Sequence, residues 1–353
     1  MPLAIFSRAR MHTAAGLRPK RAGSNLLRGL ACAAALACGT AFAAPAALPQ
    51  AQIDPRQVTV SGVSAGAFMA VQMHVAHSDV FSGIGAVAGG PYLCAEGSLI
   101  TAQLRCMRAV QTVPVARLVR RTRELAHAAM IAPVAGLASA RVFLFAGGKD
   151  EVVPPSVVDA LAAFYSEFAP PAAVVLRRHP EAGHGMVTRG VGGSCSVTAS
   201  PYLNDCGLDL AGELLSHLYP GLSSPAGPAI DANLLAFDQN PFTLGPALAD
   251  TGWIYLPSAC QPGQGPPCRL HVALHGCRQS ARDVGQRYVR DAGHNRWAEQ
   301  NRIVVLYPQT GNAPNGCWDW WGYEGPAYAT RLGPQVIAIR RMVDRLVAPD
   351  RRR

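Results

Sequence analysis

Short apolar runs alternate with longer amphipathic stretches along most of this chain. Residues 57–60, 84–88, 141–146, 174–178, 253–257, 270–274 and 303–307 are brief, mostly apolar runs of strand length. Residues 67–77, 107–130, 156–168, 283–300 and 335–346 carry helical spacing, and residues 213–219 close a further helix. Within 107–130, Arg117, Arg120, Arg121 and Arg123 belong to a solvated face, and Pro154-Pro155 marks where the 156–168 helix begins. Two of the strands run into glycine turns, Gly89-Gly90-Pro91 and Gly147-Gly148-Lys149-Asp150. Residues 220–251 are rich in Pro, Gly and Ala with weak periodicity, and are expected to form a long surface connection. Strands interleaved with helices predict an α/β fold, with a mainly parallel sheet and helices on both faces.

The first 45 residues stand apart from this pattern. They hold six basic residues (Arg8, Arg10, Arg18, Lys20, Arg21, Arg28) and no acid, then an Ala-rich apolar run ending in Ala41-Phe42-Ala43. A basic start, a short apolar run and a small-x-small end are the pattern of a cleaved secretory signal, expected over residues 1–43. The run is too short for a comfortable membrane span. Six of the chain's 32 basic residues lie in this segment, so the formal net charge of +10 overstates the charge on the rest. Nothing in it calls for a nucleic-acid partner. Residues 46–353 are expected to form one catalytic domain.

Eight cysteines follow the leader: Cys94, Cys106, Cys195, Cys206, Cys260, Cys268, Cys277 and Cys317. An even count in an exported chain predicts disulfides. Pairing in sequence order is the expectation: 94 with 106, 195 with 206, 260 with 268, 277 with 317. No C-x-x-C pair occurs, so no metal site is expected.

The candidate chemistry begins at Gly62-Val63-Ser64-Ala65-Gly66, between a predicted strand and a predicted helix. That context makes the pentapeptide a nucleophile elbow, a sharp turn that exposes a serine hydroxyl. A serine needs a base within hydrogen-bond reach, and the base needs a group to orient it. Asp150 follows a buried strand and a glycine turn; Asp159 and Glu181 are weaker alternatives. His184, in Glu181-Ala182-Gly183-His184-Gly185-Met186, follows Asp150 in the order Ser, Asp, His of α/β-hydrolases; His179 is its rival. An acyl-transfer site also needs N–H donors aimed at the developing oxyanion. The Ala65 amide is one candidate. The Cys277 amide, in Leu274-His275-Gly276-Cys277, is the other, while the His275 side chain is read as structural. In most α/β-hydrolases the His-Gly strand precedes the nucleophile, whereas here it follows by more than 200 residues. The chain therefore reads as a circularly permuted α/β-hydrolase.

These stretches, with Asn315-Gly316-Cys317-Trp318, span the chain after its leader in order. Together they resemble the short-chain-length polyhydroxyalkanoate depolymerases with a permuted, type 2 extracellular catalytic domain. The resemblance implies a serine esterase acting on poly(3-hydroxybutyrate) or its oligomers. It implies Ser64, Asp150 and His184 as the triad, and the Ala65 and Cys277 amides as the oxyanion hole. It further implies a tryptophan at or near Trp318 lining the substrate crevice; Trp320 and Trp321 divide evenly between that role and core packing. Many secreted members carry a separate polymer-binding domain; none is legible here, which points to amorphous polymer or soluble oligomers. The expected protein is a monomer that needs no cofactor or metal and is secreted, with a periplasmic location as the variant. A plant cell-wall esterase for feruloyl or acetyl groups is the alternative enzyme, and a non-catalytic polymer-binding protein the alternative from another class.

Overall fold

The computed structural model describes residues 45–348. The proposed leader, residues 1–43, lies outside them. Eleven strands are present among the described residues: β1 (Ile53–Val63), β2 (Gly83–Val87), β3 (Arg141–Gly147), β4 (Val174–His179), β5 (Met186–Thr188), β6 (Gly193–Ser194), β7 (Leu203–Asp205), β8 (Leu234–Asp238), β9 (Thr251–Tyr255), β10 (Cys268–Leu274) and β11 (Ile303–Tyr307). Eight of them make one sheet in the order β4-β3-β2-β1-β10-β11-β9-β8. The first six in that order run parallel; β9 and β8 close the edge antiparallel.

Both faces of the central strands are covered, which is why they read as apolar runs without alternation. Val58 and Val60 of β1 face one core with Leu270 and Val272 of β10. Val63, Ala273 and Val305 face the other. The first core holds helix α1 (Ala65–Ala76) and the closing helix Pro334–Val347; the second holds Leu210–Leu218 and His294–Asn301. All twelve residues of α1 are buried, so it is an internal helix with no polar stripe.

The permuted order is visible in the pairing. β1 carries the elbow and lies beside β10, with Gly62 opposite Leu274. The strand that supplies the His-Gly loop thus comes from the far end of the chain to flank the nucleophile. The four disulfides among the described residues join their cysteines in sequence order. No helix among the described residues is long and apolar enough to cross a membrane.

Several expectations about elements are corrected. The 107–130 helix is real only as Val115–His127, preceded by a wide turn at Ala102–Met107. Pro114 disfavours helical geometry in the residue before it, so the two cannot fuse. The 283–300 helix is three pieces, Ala281–Val284, Arg287–Asp291 and His294–Asn301. Gly285 (φ 59°) and Gly293 (φ 95°) break it in the left-handed region. The 220–251 connection contains β8, an edge strand. The small sheet β5-β7-β6 escaped notice because its strands are only two or three residues long.

Candidate active site

Parallel strands deliver their loops to one edge of the sheet, and the candidate groups follow the C-terminal ends of β1, β3, β4 and β10. Ser64 joins β1 to α1 at φ 55°, ψ −123°, a conformation that L side chains rarely adopt. Its N–H donates to the Val87 carbonyl at the end of β2 (2.9 Å), and its carbonyl accepts from the Ala67 and Phe68 amides. The turn closes only because its flanks lack side chains. A Cβ on Gly66 would stand 2.3 Å from the Leu274 carbonyl oxygen and 2.4 Å from that of His275. Both are backbone atoms, so Gly66→Ala is expected to destabilise the protein by about 1–3 kcal/mol through overpacking. Denaturant unfolding measures this, and an unchanged midpoint refutes it.

His184 Nε2 lies 2.8 Å from Ser64 Oγ, and its Nδ1 lies 2.8 Å from Asp150 Oδ2. The carboxylate can only accept from Nδ1–H, which leaves Nε2 to accept from the serine hydroxyl. Asp150 Oδ1 accepts from the Val152 and Val153 amides at 2.9 and 2.8 Å, so both carboxylate oxygens have partners. The His184 amide donates to Thr198 Oγ1 (3.1 Å), and the preceding Gly183 amide to the Cys195 carbonyl (2.9 Å). The Cys195–Cys206 disulfide therefore braces the loop that carries the histidine. The alternatives lie elsewhere: Asp159 pairs with Arg178, Glu181 is exposed, and His179 sits beside Cys195 Sγ.

The loop after β10 uses up most of its own polar groups. The Leu274 carbonyl accepts from Tyr288 Oη–H (3.0 Å) and the His275 carbonyl from Trp318 Nε1–H (2.9 Å). The Gly276 amide donates to Gln279 Oε1 (2.8 Å) and the Arg278 amide to the Asn315 carbonyl (2.9 Å). The Cys277 amide between them is left without an acceptor among the described residues. Ala65 is the first residue of α1, so its amide has no carbonyl one turn back to bond. Gln279 was not singled out from the sequence. Its Nε2 donates to the Pro201 and Tyr202 carbonyls (3.0 Å each), tying the Cys277 loop to the histidine side of the site. No motif marks it. His275 is structural, as expected: Nε2 accepts from the Thr310 amide (3.2 Å), and burial pushes its pKa down to about 4.

A cavity of about 590 Å³ opens onto Ser64 and His184. Its walls include Phe68, Val153, Trp320, Trp321 and Tyr323. The expectation for Trp318 is corrected. That residue is fully buried and does not line the cavity, because its indole N–H is committed to the His275 carbonyl and its ring packs on the His275 ring. Trp320, stacked on Phe68 with centroids 4.2 Å apart, and Trp321 form the wall instead.

The aromatic wall hangs on one carboxylate. Asp319 accepts from the amides of Gly322, Tyr323 and Glu324 at 2.7, 2.9 and 2.9 Å. Half-buried Glu324 is pushed up to about 7, first by burial and then by the charge of Asp319. Its folded pKa lies above the ordinary 4.5, so the folded state binds the proton more tightly than the unfolded chain. That stabilisation is fully present below about pH 4.5 and is lost as pH rises through 7. The melting temperature of Glu324→Gln minus that of wild type should therefore grow between pH 5 and pH 8. A constant difference refutes the assignment.

One group of metal-ligand types occurs among the described residues, His179 with Cys195 and Cys206, and its two sulfurs are joined to each other.

The fold and this geometry define an α/β-hydrolase with a Ser–His–Asp hydrogen-bonded line at the sheet's C-terminal edge. Residues 40–195 match the prolyl oligopeptidase family. A poly(3-hydroxybutyrate) depolymerase of Delftia acidovorans is 47% identical over 327 residues, covering 91% of this chain and 66% of that protein. A polyhydroxybutyrate depolymerase of Talaromyces funiculosus is 35% identical over 331 residues, covering 89% of this chain and 96% of that one. The crystal structure of PHB depolymerase from Penicillium funiculosum superposes with a TM-score of 0.79 at 34% identity, over 85% of this chain and 98% of its own. A PHB depolymerase with a serine-to-alanine substitution, complexed with an R3HB trimer, matches equally well. The chain belongs to the polyhydroxybutyrate depolymerase family.

Proposed function

We propose that the protein is a serine esterase that hydrolyses poly(3-hydroxybutyrate) or its oligomers. The observation that carries this reading is the unbroken line Ser64–His184–Asp150 opening into an aromatic-walled cavity. An aromatic wall suits a polyester whose repeating units are apolar apart from their esters. Family membership and the trimer held by a relative support the same substrate.

In the first step Ser64 Oγ attacks an ester carbonyl and His184 Nε2 takes its proton, with Asp150 stabilising the imidazolium through Nδ1–H. The negative oxygen of the tetrahedral intermediate is held by the Ala65 and Cys277 amides, each such donor being worth about 3–4 kcal/mol in the transition state. The C–O bond to the alcohol half then breaks as His184 protonates the departing alkoxide oxygen, which leaves as a hydroxyl, and the acyl group remains on Ser64. Water, deprotonated by His184, attacks that ester and releases the hydroxyacid product, restoring Ser64. The chain's own residues supply every proton transfer in this cycle.

The pairing of all eight described cysteines and the leader pattern support secretion of a mature chain that begins just after Ala43. The function is tested by product analysis on amorphous polymer and defined 3-hydroxybutyrate oligomers, set against feruloyl and acetyl esters. Faster turnover of the hydroxybutyrate compounds is expected. Faster turnover of feruloyl esters would overturn the reading.

A further inference from the structure

We propose that Arg278 binds the free carboxylate of a short hydroxyacid oligomer, so that the enzyme favours charged chain ends over the neutral interior of a polymer. The inference rests on the esterase reading above and deepens it.

Arg278 is the one arginine or lysine lining the cavity among the described residues. The fold fixes where it stands. It follows Cys277, whose sulfur is joined to Cys317. Its backbone is left-handed, at φ 53°. Its amide donates to the Asn315 carbonyl at 2.9 Å, and one guanidinium nitrogen donates to Asn315 Oδ1 at 3.3 Å. Two loops stapled by a disulfide thus hold the base of the side chain and one edge of its head.

The rest of the head is uncommitted. A guanidinium has five donors in a planar fork, and a single long bond occupies one. None of the ion pairs among the described residues includes Arg278. The carboxylate of Asp283, in the short helix Ala281–Val284 that follows, accepts from Ser280 Oγ (2.7 Å). Nearby arginines are engaged. Arg105, between the lining residues Gln103 and Met107, pairs with Glu96, and Arg282 donates to the Gly311 carbonyl and Asn312 Oδ1. An unpaired fork at the rim of a mostly apolar cavity is matched by a planar anion that arrives with the substrate.

The substrate's chemistry says which anion. A hydroxyacid oligomer runs from a hydroxyl end to a carboxylate end. The acyl half of the scissile ester leads to the hydroxyl end, and the alcohol half leads to the carboxylate. Arg278 adjoins the Cys277 amide assigned to the oxyanion, so a carboxylate on Arg278 lies close beyond the scissile bond. It therefore belongs to the alcohol half, and cleavage releases short acids from the carboxylate end. Interior esters of a long polymer present no charge there.

The test compares kcat/KM for a 3-hydroxybutyrate trimer as the free acid and as its methyl ester, in wild type, Arg278→Gln and Arg278→Lys. Arg278→Gln is expected to lower the acid-to-ester ratio about tenfold, mainly through KM, as loss of a charge-assisted bond would. Arg278→Lys should restore part of it, and added salt should lower the ratio in wild type but not in Arg278→Gln. A ratio that Arg278→Gln leaves unmoved, in an enzyme that cleaves both compounds, overturns the inference alone. A wild type that cleaves neither, yet takes up a fluorophosphonate at Ser64, overturns the substrate reading and this inference with it.

Discussion

Ser64→Ala is expected to lower kcat on 3-hydroxybutyrate oligomers by about 10⁶-fold, the scale seen when the nucleophile of a serine hydrolase is removed. Nothing else at the site can take over. The hydroxyl is the atom that His184 Nε2 faces at 2.8 Å, and no second hydroxyl or thiol is known to bond that nitrogen among the described residues. The fold should be indifferent to the change. The strained backbone at φ 55° is set by the Gly62 and Gly66 contacts and by the Ser64 amide bond to Val87, all of which alanine keeps. Turnover assays on a clean preparation, with thermal unfolding alongside, check both halves. Retained turnover would remove Ser64 from the mechanism, and a large drop in melting temperature would refute the claim that its hydroxyl is structurally idle.

Asp150→Asn is expected to cost about 10⁴-fold in kcat at neutral pH. The geometry gives the reason. Oδ1 accepts two backbone amides, from Val152 and Val153, so the new side chain keeps its oxygen there. Its NH₂ must then face His184 Nδ1, where the carboxylate used to accept. A donor at that position forces the imidazole to carry its proton on Nε2, and Nε2–H cannot accept the proton of Ser64. Fluorophosphonate labelling of Ser64 should slow in parallel, because it uses the same proton transfer. A loss below tenfold would show that another group orients the histidine.

The parts of this site that were legible in the sequence are those written in short local patterns. Ser64 and Asp150 each sit where an apolar run ends among glycines, and His184 stands between two glycines in the loop after β4; such patterns are set by neighbouring residues along the chain. The cysteine connectivity was not fixed by the sequence, since eight cysteines allow 105 pairings; the structure joins them in the expected order, three of the bonds closing short loops of 8–12 residues. The bond between Cys277 and Cys317, 40 residues apart, is set by tertiary structure. The misread helices at 107–130 and 283–300 show the converse. Each reads as one helix across residues that break it, Pro114 in the first and Gly285 and Gly293 in the second.

By its residues alone, the chain determined its fold class and the permuted order in which its strands appear, and it marked Ser64, Asp150 and His184 as the candidate nucleophile, acid and base. Those features depend on local sterics and on burial patterns with a fixed period. Tertiary structure alone decided which tryptophans line the cavity, which neighbouring bonds leave the Cys277 amide without an acceptor among the described residues, and what holds both in place. Trp318 and Trp320 stand two residues apart in an irregular loop, where no period relates sequence position to direction. The Cys277 amide is free only because Gln279 and Asn315 occupy its neighbours. These choices arise from contacts between segments far apart in the chain, such as Trp318 Nε1–H on the His275 carbonyl, and the elbow at Ser64 acquires its partners through them.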